Sequence, residues 1–224
     1  MNRLRCAVAV LLVAAAAMTA CASPAQHADS PPAVDQLAAM LADESAVNAI
    51  MGSTTLRTYY RYRTLPGWPE GDVYSRPECL ALTANAMEPT YHGSHYGEMR
   101  GARLDDTDQA ARRNIDEAVV AFENPGAAQA FVAAAVRAWK PCENAVLTIT
   151  SKDKPTRRWN MGTSRVVDGV QVVDADQVDS VSEWRTSHAM RATNNVVIDV
   201  RVTGSRITDQ AARLVNAIAG GNRL

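Results

Sequence analysis

Cysteine and aromatic residues are scarce in this 224-residue chain, which contains four Cys and only 5% Phe, Trp and Tyr. The spacing of the cysteines excludes a zinc knuckle and a CxxC redox pair. A formal net charge of −1 provides no basic footprint for nucleic acid. After the first twenty residues, no apolar run approaches the roughly 20 residues that a membrane-spanning helix needs. The sequence therefore predicts neither a cofactor nor a nucleic-acid partner.

The amino-terminal residues have the order of an export signal. Arg3 and Arg5 form a short positive region, and residues 7–18 form an apolar core of about 12 residues, which is too short to span a membrane. Small residues then precede Cys21, in a pattern that resembles the lipobox of bacterial lipoproteins. This resemblance implies cleavage before Cys21, a diacylglycerol on its thiol and acylation of the new amine. We therefore predict a signal peptide over residues 1–20 and a lipid anchor at Cys21 in the cell membrane.

An ordinary secreted protein is the alternative to the lipoprotein. In that case a signal peptidase would cut after Ala20 or Ala22, and no lipid would be attached. Both alternatives place the remaining chain outside the cytoplasm. Residues 22–33 are polar and Pro-rich, so we expect them to form a tether and not part of a core.

Cys79 and Cys142 are the cysteines that remain in the exported chain after Cys6 and Cys21 are accounted for. In an oxidising compartment, two such residues most simply form a disulfide with each other. The bridge would close a loop of roughly 64 residues, which corresponds to about 4 kcal/mol in the chain-entropy model. The alternative is a pair of separate buried thiols.

Residues 34–220 have the pattern of one α+β domain. Helical spacing begins at Val34, strand-like segments follow in the middle of the chain, and another helix begins after Asn124-Pro125. Asp168-Gly169 is a typical hairpin turn pair, and Thr208 or Ser205 is expected to cap a last helix. Helices near both ends with hairpin-linked strands between them predict an antiparallel sheet.

Specific stretches of this sequence resemble the PknH-like extracellular domain, the outer sensor region of a mycobacterial receptor kinase that also occurs in free-standing lipoproteins. The resemblance covers residues 34–219. It is strongest in "AVVAFENPGAAQAFVAAAVRAWKPC", which ends at Cys142, and in "NNVVIDVRV", which begins at Asn194. It implies an α+β fold with helices over one face of an antiparallel sheet, a broad cleft, and a ligand-sensing role outside the membrane.

The same resemblance implies two disulfides. One matches Cys79 with Cys142, and the other would join cysteines near positions 186 and 203. Both of those positions are threonine in this chain. We therefore expect the second bridge to be missing, which would leave this strand pair easier to open locally. The sequence also contains no HRD or DFG motif, so the kinase part of the receptor is absent from it.

Two short segments contain the candidate ligand-binding residues. The loop "YHGSHY" contains Tyr91, His92, His95 and Tyr96. Aromatic and polar side chains of this kind line many binding sites. Its two imidazoles lack a carboxylate at a fixed helical offset, so an exposed loop at the mouth of a cleft is favoured over a metal site.

The second segment, "LRTYYRYR", contains Tyr59 and Arg61 on a predicted strand. Guanidinium groups pair well with phosphate and carboxylate, so this strand is a candidate contact for an anionic ligand such as a cell-wall sugar or a lipid headgroup. Strand alternation equally predicts that half of these side chains are simply solvated.

A non-enzymatic lipoprotein with a ligand-binding sensor domain is the function that these features favour. Its expected partners are the membrane, through Cys21, and an unknown small ligand or envelope protein. A carrier of lipid or other apolar molecules in the cell envelope is the alternative. An envelope hydrolase is less favoured, because no nucleophile and base pair is recognisable in the sequence.

Overall fold

A computed structural model of the protein describes residues 34–108, 110–178, 180 and 183–221. The predicted signal peptide, Cys21 and the tether lie outside the described residues. The helices are α1 (Val34–Met40), α2 (Glu44–Met51), α3 (Leu80–Thr83), α4 (Glu88–Tyr91), α5 (Pro125–Trp139) and α6 (Gln210–Ala219), with 3₁₀ turns at Pro77–Cys79 and Lys140–Cys142. The strands are β1 (Leu56–Tyr62), β2 (Asp72–Tyr74), β3 (Met99–Asp106), β4 (Asn114–Ala121), β5 (Val146–Ser151), β6 (Lys154–Met161), β7 (Arg165–Val167), β8 (Val170–Gln177), β9 (Trp184–Thr193) and β10 (Val196–Ser205).

A single ten-stranded sheet organises these elements. Its strand order is β1-β3-β4-β10-β9-β8-β6-β5-β2, and β7 pairs with β8 beside this path. Each pairing is antiparallel. The predicted α+β class, antiparallel sheet and single domain are therefore confirmed. The long strand β10 is central, between β4 and β9, and β1 forms one edge.

Helices cover both faces of this sheet, and not one face as the resemblance implied. On β10, Ile198 and Val200 belong to the apolar cluster that includes α1, α2 and α6, while Val197 belongs to the cluster that includes α5. Successive residues of a strand point to opposite faces. Near-continuous apolar runs such as that of β10 therefore require a covering layer on each side.

Local sequence signals determine where several elements begin and end. The Asp43 side chain accepts from the N–H of Ala46 at 2.8 Å and caps α2. Asn124 caps α5 in the same way through Ala127, at 2.9 Å. Asp168 and Gly169 both have positive φ, as the predicted hairpin turn requires.

The beginning of α6 differs from the predicted capping by Thr208 or Ser205. The helix begins at Gln210 after Asp209, which makes no side-chain cap bond. Instead, the Gln210 side chain accepts from the backbone N–H of Thr208 at 2.7 Å. The burial of Ala211, Leu214 and Ile218 holds this helix against the sheet, so packing determines its position more than capping does.

Cys79 and Cys142 form a disulfide whose Cα atoms are 5.5 Å apart. Each cysteine ends a 3₁₀ turn, one directly before α3 and the other directly after α5. Both residues are buried. The bridge therefore ties the segment that begins α3 to the carboxyl end of α5, and it limits how far these two elements can separate.

The two threonines at the positions where the resemblance implied a second disulfide face each other directly. Thr186 of β9 is the register partner of Thr203 of β10. Both side chains are buried, and their hydroxyls share a hydrogen bond. A hydrogen-bonded hydroxyl pair therefore joins the two strands at these positions.

We predict that the double variant Thr186→Cys/Thr203→Cys forms a disulfide under oxidising conditions, because the two positions are direct cross-strand partners. The bridge would close a short loop and stabilise the fold by about 3 kcal/mol. Urea denaturation with and without reductant measures this gain, and mass after thiol alkylation reports the bond.

The single variant Thr186→Cys is the control and should show no reductant-dependent stability beyond that of the wild type. Two alkylatable thiols in the oxidised double variant would contradict this prediction.

Candidate functional site

A cleft of about 650 Å³ lies between α5 and the segment from the first 3₁₀ turn to the loop after α4. One wall is the outer face of α5, and the opposite wall comes from α3, α4 and the residues around them. Its lining residues are Trp68, Pro77, Glu78, Ala81, Pro89, Thr90, His92, Gly93, Ser94, Ala127, Ala130, Phe131, Ala134, Ala135, Ala138 and Trp139. A volume of this size is within the usual range of small-molecule sites.

Small apolar side chains on α5 create the space in the cleft. Ala127, Ala130, Ala134 and Ala138 follow the three- and four-residue spacing of one helix face. Because alanine extends only one carbon beyond the backbone, this face leaves room for a ligand against the helix. Trp68, Pro77 and Pro89 on the other side, together with Phe131 and Trp139 of α5 itself, complete an apolar surface.

Four polar residues interrupt the apolar lining. Glu78, Thr90, His92 and Ser94 border the cleft on the side opposite α5. A backbone hydrogen bond and then Arg76 lower the pKa of Glu78, so this carboxylate is negatively charged at neutral pH. The His92 ring is 83% exposed and its Nδ1 lies 3.2 Å from the Glu88 carboxylate. The cleft is therefore mixed, with apolar walls and a polar edge.

Of the four loop residues predicted to contact a ligand, His92 lines this cleft. His95 is exposed in a left-handed backbone conformation with φ 54°. Tyr91 is buried, its ring stacks on Phe131 at 4.2 Å between centroids, and Tyr96 packs edge-on against it. Tyr91 therefore supports the cleft from within, and ligand contact by His92, His95 and Tyr96 stays a prediction.

Beneath the cleft, a buried carboxylate links several segments. One oxygen of Asp199 accepts from the Ala86 N–H at 2.8 Å and from the Tyr91 hydroxyl at 2.9 Å. Its other oxygen lies 2.7 Å from Nε2 of His188. Burial, with the Asp199 charge nearby, holds the pKa of Tyr91 well above its usual value, so this hydroxyl keeps its proton and donates.

His188 has an acceptor at each ring nitrogen. Its Nδ1 lies 3.2 Å from the carbonyl oxygen of Leu82, which can only accept, so Nδ1 must carry a proton. The His188 ring also contacts Trp139 at 5.0 Å between centroids. Trp139 lines the cleft, so this buried pair supports one of its walls.

Sequence reasoning did not single out Asp199. The available signal was a single charged residue within the apolar run "VVIDV" of β10. Both Asp199 and His188 are at most 1% exposed, so this arrangement does not present a base or a nucleophile to the cleft.

A second concavity, of about 360 Å³, lies against the other side of the sheet at its β1 edge. We call it the arginine pocket. It is lined by Arg61, Arg63 and Arg100, together with Ala38, Leu41, Tyr62 and Gly101. Arg61, one of the two β1 residues predicted to contact an anionic ligand, therefore lines this pocket. Tyr59, the other, is 71% exposed nearby on β1. The two predicted ligand-binding segments do not form one site.

A buried acid lies close to the arginine pocket. Glu117 is fully buried on β4, where Oε2 accepts from the Ala42 N–H at 3.3 Å. Its Oε1 has no hydrogen-bond partner among the described residues. Desolvation raises the pKa of Glu117 to about 8, against a smaller opposing effect of the Ala42 N–H and Arg61. Glu117 is therefore mostly neutral at pH 7.

Residues 32–220 match the sequence model of the PknH-like extracellular domain. The chain belongs to the PknH-like extracellular domain family. Both the cleft and the arginine pocket lie within the residues matched to this family. The resemblance predicted from the sequence is therefore confirmed.

Two serine/threonine-protein kinases contain stretches similar to this chain. Serine/threonine-protein kinase PknH of Mycobacterium tuberculosis is 31% identical over 189 residues, which cover 84% of this chain and 29% of the kinase. PknH of Mycobacterium bovis is 30% identical over 189 residues, which cover 84% of this chain and 31% of that kinase. This PknH-like chain therefore spans less than a third of the length of these kinases.

The crystal structure of the extracellular domain of PknH from Mycobacterium tuberculosis has the same fold. It superimposes with a TM-score of 0.78 at 30% identity, covering 87% of this chain and 99% of the solved chain. The solved chain consists almost wholly of the shared fold, so a PknH-like domain folds without the kinase part.

No helix in the described part of the chain has both the length and the hydropathy needed to cross a membrane. Within the same residues, no group of three or more His, Cys, Asp and Glu side chains is arranged to hold a metal ion.

We predict that Glu117 makes the folded state less stable as the pH rises. Its pKa is raised to about 8 in the fold, so the folded state binds this proton more tightly than the unfolded chain does. The contribution of Glu117 to the stability of the fold is complete below about pH 4.5. It decreases by up to about 1.4 kcal/mol per pH unit as the pH rises, and it is lost at about pH 8. Glu117→Gln should remove this slope, as measured by urea denaturation between pH 5 and pH 9.

Glu123→Gln, at an exposed position, is the matched control and should leave the pH profile unchanged. If Glu117→Gln keeps the wild-type slope, the acid is not protonated in the fold and the prediction is wrong.

Proposed function

We propose that the protein is a lipoprotein on the outer side of the cytoplasmic membrane, whose PknH-like domain binds an apolar small molecule as a sensor and not as a catalyst. The observation that carries this proposal is the cleft of about 650 Å³ beside α5, with its alanine face and aromatic walls. Such a cleft favours burial of apolar ligand surface, and a few polar groups at its edge can orient the ligand. Membership of an extracellular-domain family supports the extracytoplasmic location.

The proposed membrane anchor rests on the amino-terminal sequence. Arg3 and Arg5, the apolar core and the small residues before Cys21 are the features that a lipoprotein signal requires. A single acyl chain binds membranes only marginally, whereas two or more chains hold stably. The diacylglycerol on Cys21 would therefore keep the domain at the membrane surface.

The mixed lining of the cleft favours a sensor over a carrier. A lipid carrier needs an apolar cavity that shields most of its cargo from water. Here Glu78, Thr90, His92 and Ser94 border one side, and a charged carboxylate at this edge would disfavour a purely hydrocarbon ligand. The carrier remains the second candidate, supported by the apolar α5 face.

The burial of the candidate acid–base groups favours binding over catalysis. A catalytic nucleophile needs a base within hydrogen-bond reach at a surface that the substrate can contact. The His188 and Asp199 pair has suitable chemistry but is enclosed, and its hydrogen bonds connect Leu82, Ala86 and Tyr91. We propose that a signal from the bound ligand passes to another envelope protein.

Replacing Cys21 by alanine should release the protein from the membrane, because the lipid-bearing thiol is removed. Membrane and medium fractions of cells that express the full-length chain would be compared by immunoblotting. We expect the wild type in the membrane fraction and Cys21→Ala in the medium or as unprocessed precursor. Cys6→Ala is the control and should stay in the membrane fraction. Membrane retention of a processed Cys21→Ala chain would contradict the lipid anchor.

Filling the cleft should block ligand binding. Ala134→Trp adds a large side chain on the exposed α5 face that lines the cleft, whereas Ala133→Trp on the same helix faces a separate groove and is the matched control. With the neutral apolar dye N-phenyl-1-naphthylamine as probe, we expect saturable fluorescence enhancement for the wild type. Affinity should fall at least tenfold for Ala134→Trp and remain nearly unchanged for Ala133→Trp.

Equal dye binding by all three proteins would exclude this cleft as the apolar binding site. Native mass spectrometry of the wild type purified from its own envelope would then identify the ligand class, since a retained lipid or glycan adds its mass to the protein.

A further inference from the structure

The arginine pocket is a concentration of positive charge on the face of the sheet opposite the cleft. Arg61 extends from β1, Arg63 follows that strand, and Arg100 extends from the adjacent strand β3. Arg61 is the register partner of Ala102, which belongs to the apolar cluster beneath α1. Three guanidinium groups therefore share one concavity of about 360 Å³.

Most of this charge is available to a ligand. Across the described residues, no hydrogen bond or ion pair engages the guanidinium groups of Arg61 and Arg63. Arg100 pairs with Glu98 at 3.4 Å and donates to the carbonyl of Met99. The acid beneath the pocket, Glu117, is mostly neutral at pH 7. Of the three arginines, Arg100 is therefore ion-paired, through Glu98. Glu44 interacts with Arg61 only through a weaker coulombic attraction.

The strand that borders this pocket combines arginine with exposed aromatic rings. Tyr59 is 71% exposed and Tyr60 is 44% exposed, with their centroids 5.5 Å apart. Both lie on β1, which is the last strand at this edge of the sheet. Tyrosine beside basic side chains is typical of surfaces that lie at the headgroup level of a membrane.

The pocket also lies close to the point where the chain enters the domain. Ala38 of α1 and Leu41 directly after it line the pocket, and α1 begins at Val34. The seven residues of α1 span about 10 Å. The predicted tether, residues 22–33, has twelve residues, a length that corresponds to on the order of 20 Å for a flexible linker. A lipid anchor at Cys21 would therefore hold this face within reach of the membrane surface.

We propose that the arginine pocket binds the phosphate of an anionic membrane phospholipid, so that the β1 edge docks on the bilayer with Tyr59 at the interface. Guanidinium groups match phosphate through paired N–H donors, and the pocket is large enough for a phosphate and part of its glycerol. This inference rests on the proposed membrane location. It leaves the cleft on the other face of the sheet open to its ligand.

The experiment uses the chain from residue 21 onward with Cys21→Ser, so that no lipid is attached to the protein and failure of the anchor cannot imitate failure of the pocket. Binding to phosphatidylglycerol vesicles is measured by co-sedimentation at low ionic strength, with phosphatidylcholine vesicles as the neutral surface. We expect binding only to the anionic vesicles, and weaker binding as salt is added.

The variant Arg61→Gln/Arg63→Gln should reduce this binding about thirtyfold, since it removes two basic side chains at an anionic surface. Both arginines are exposed and unbonded within the described residues, so folding should persist, and thermal denaturation would verify it. Arg137→Gln/Lys152→Gln removes the same charge at exposed positions on α5 and between β5 and β6. We expect this control to bind like the wild type.

Equal losses for the two double variants would overturn the proposal, because binding would then depend on net charge alone. Equal binding to neutral vesicles would overturn it as well. Glycerol 3-phosphate is the soluble probe: tight binding of this ester without binding to vesicles would mean that the pocket takes free phosphate esters, which also contradicts membrane docking.

An environment-sensitive dye locates the contact. The dye NBD attached at Tyr59→Cys should show a blue shift in its emission with anionic vesicles, whereas the same dye at Arg137→Cys should not. Labelling is specific because the native pair Cys79 and Cys142 is joined in a disulfide. A blue shift at position 137 but not at 59 would show that the opposite face docks, and it would refute the proposal.

Discussion

The buried carboxylate of Asp199 is the constraint on which the cleft side of this domain depends. It is fully buried on the central strand of the sheet, where an ionised group is stable only if its oxygens are bonded. Its partners are the N–H of Ala86, the hydroxyl of Tyr91 and the ring of His188. Two of these three come from the irregular segment that forms a wall of the cleft. The hydrogen bonds to Asp199 therefore hold in place a segment whose own regular structure consists only of short helices.

The disulfide and this carboxylate act on opposite ends of the same wall. Cys79 and Cys142 join the start of the segment to the carboxyl end of α5, while Tyr91 anchors its other end to β10. Between these attachments, Trp139 packs on His188 and donates from its indole to the carbonyl of Ala81. The cleft is therefore held open between two fixed elements and lined by alanine side chains that do not fill it.

Sequence patterns predicted most of the elements of this fold, because their signals are local. Asn124-Pro125 begins α5, and Asp168-Gly169 turns a hairpin. The two-sided sheet was not predicted, although the apolar runs around Val119 and Ile198 were a signal for it. The site was predicted less well. Of the loop residues, His92 lines the cleft, while Tyr91 is buried beneath it.

The sequence by itself determined the α+β class, the two cysteines that pair and membership of the PknH-like family, and it predicts an export signal with a lipobox-like cysteine. These properties depend on neighbouring residues or on counts, so they can be derived without coordinates. Only the tertiary structure decided that α5 and Trp68 face each other across a cleft, and that Arg61 and Arg100 share a pocket on the other side. Those sites join residues distant in sequence, and their positions follow from the strand register and from helix packing on both faces of the sheet.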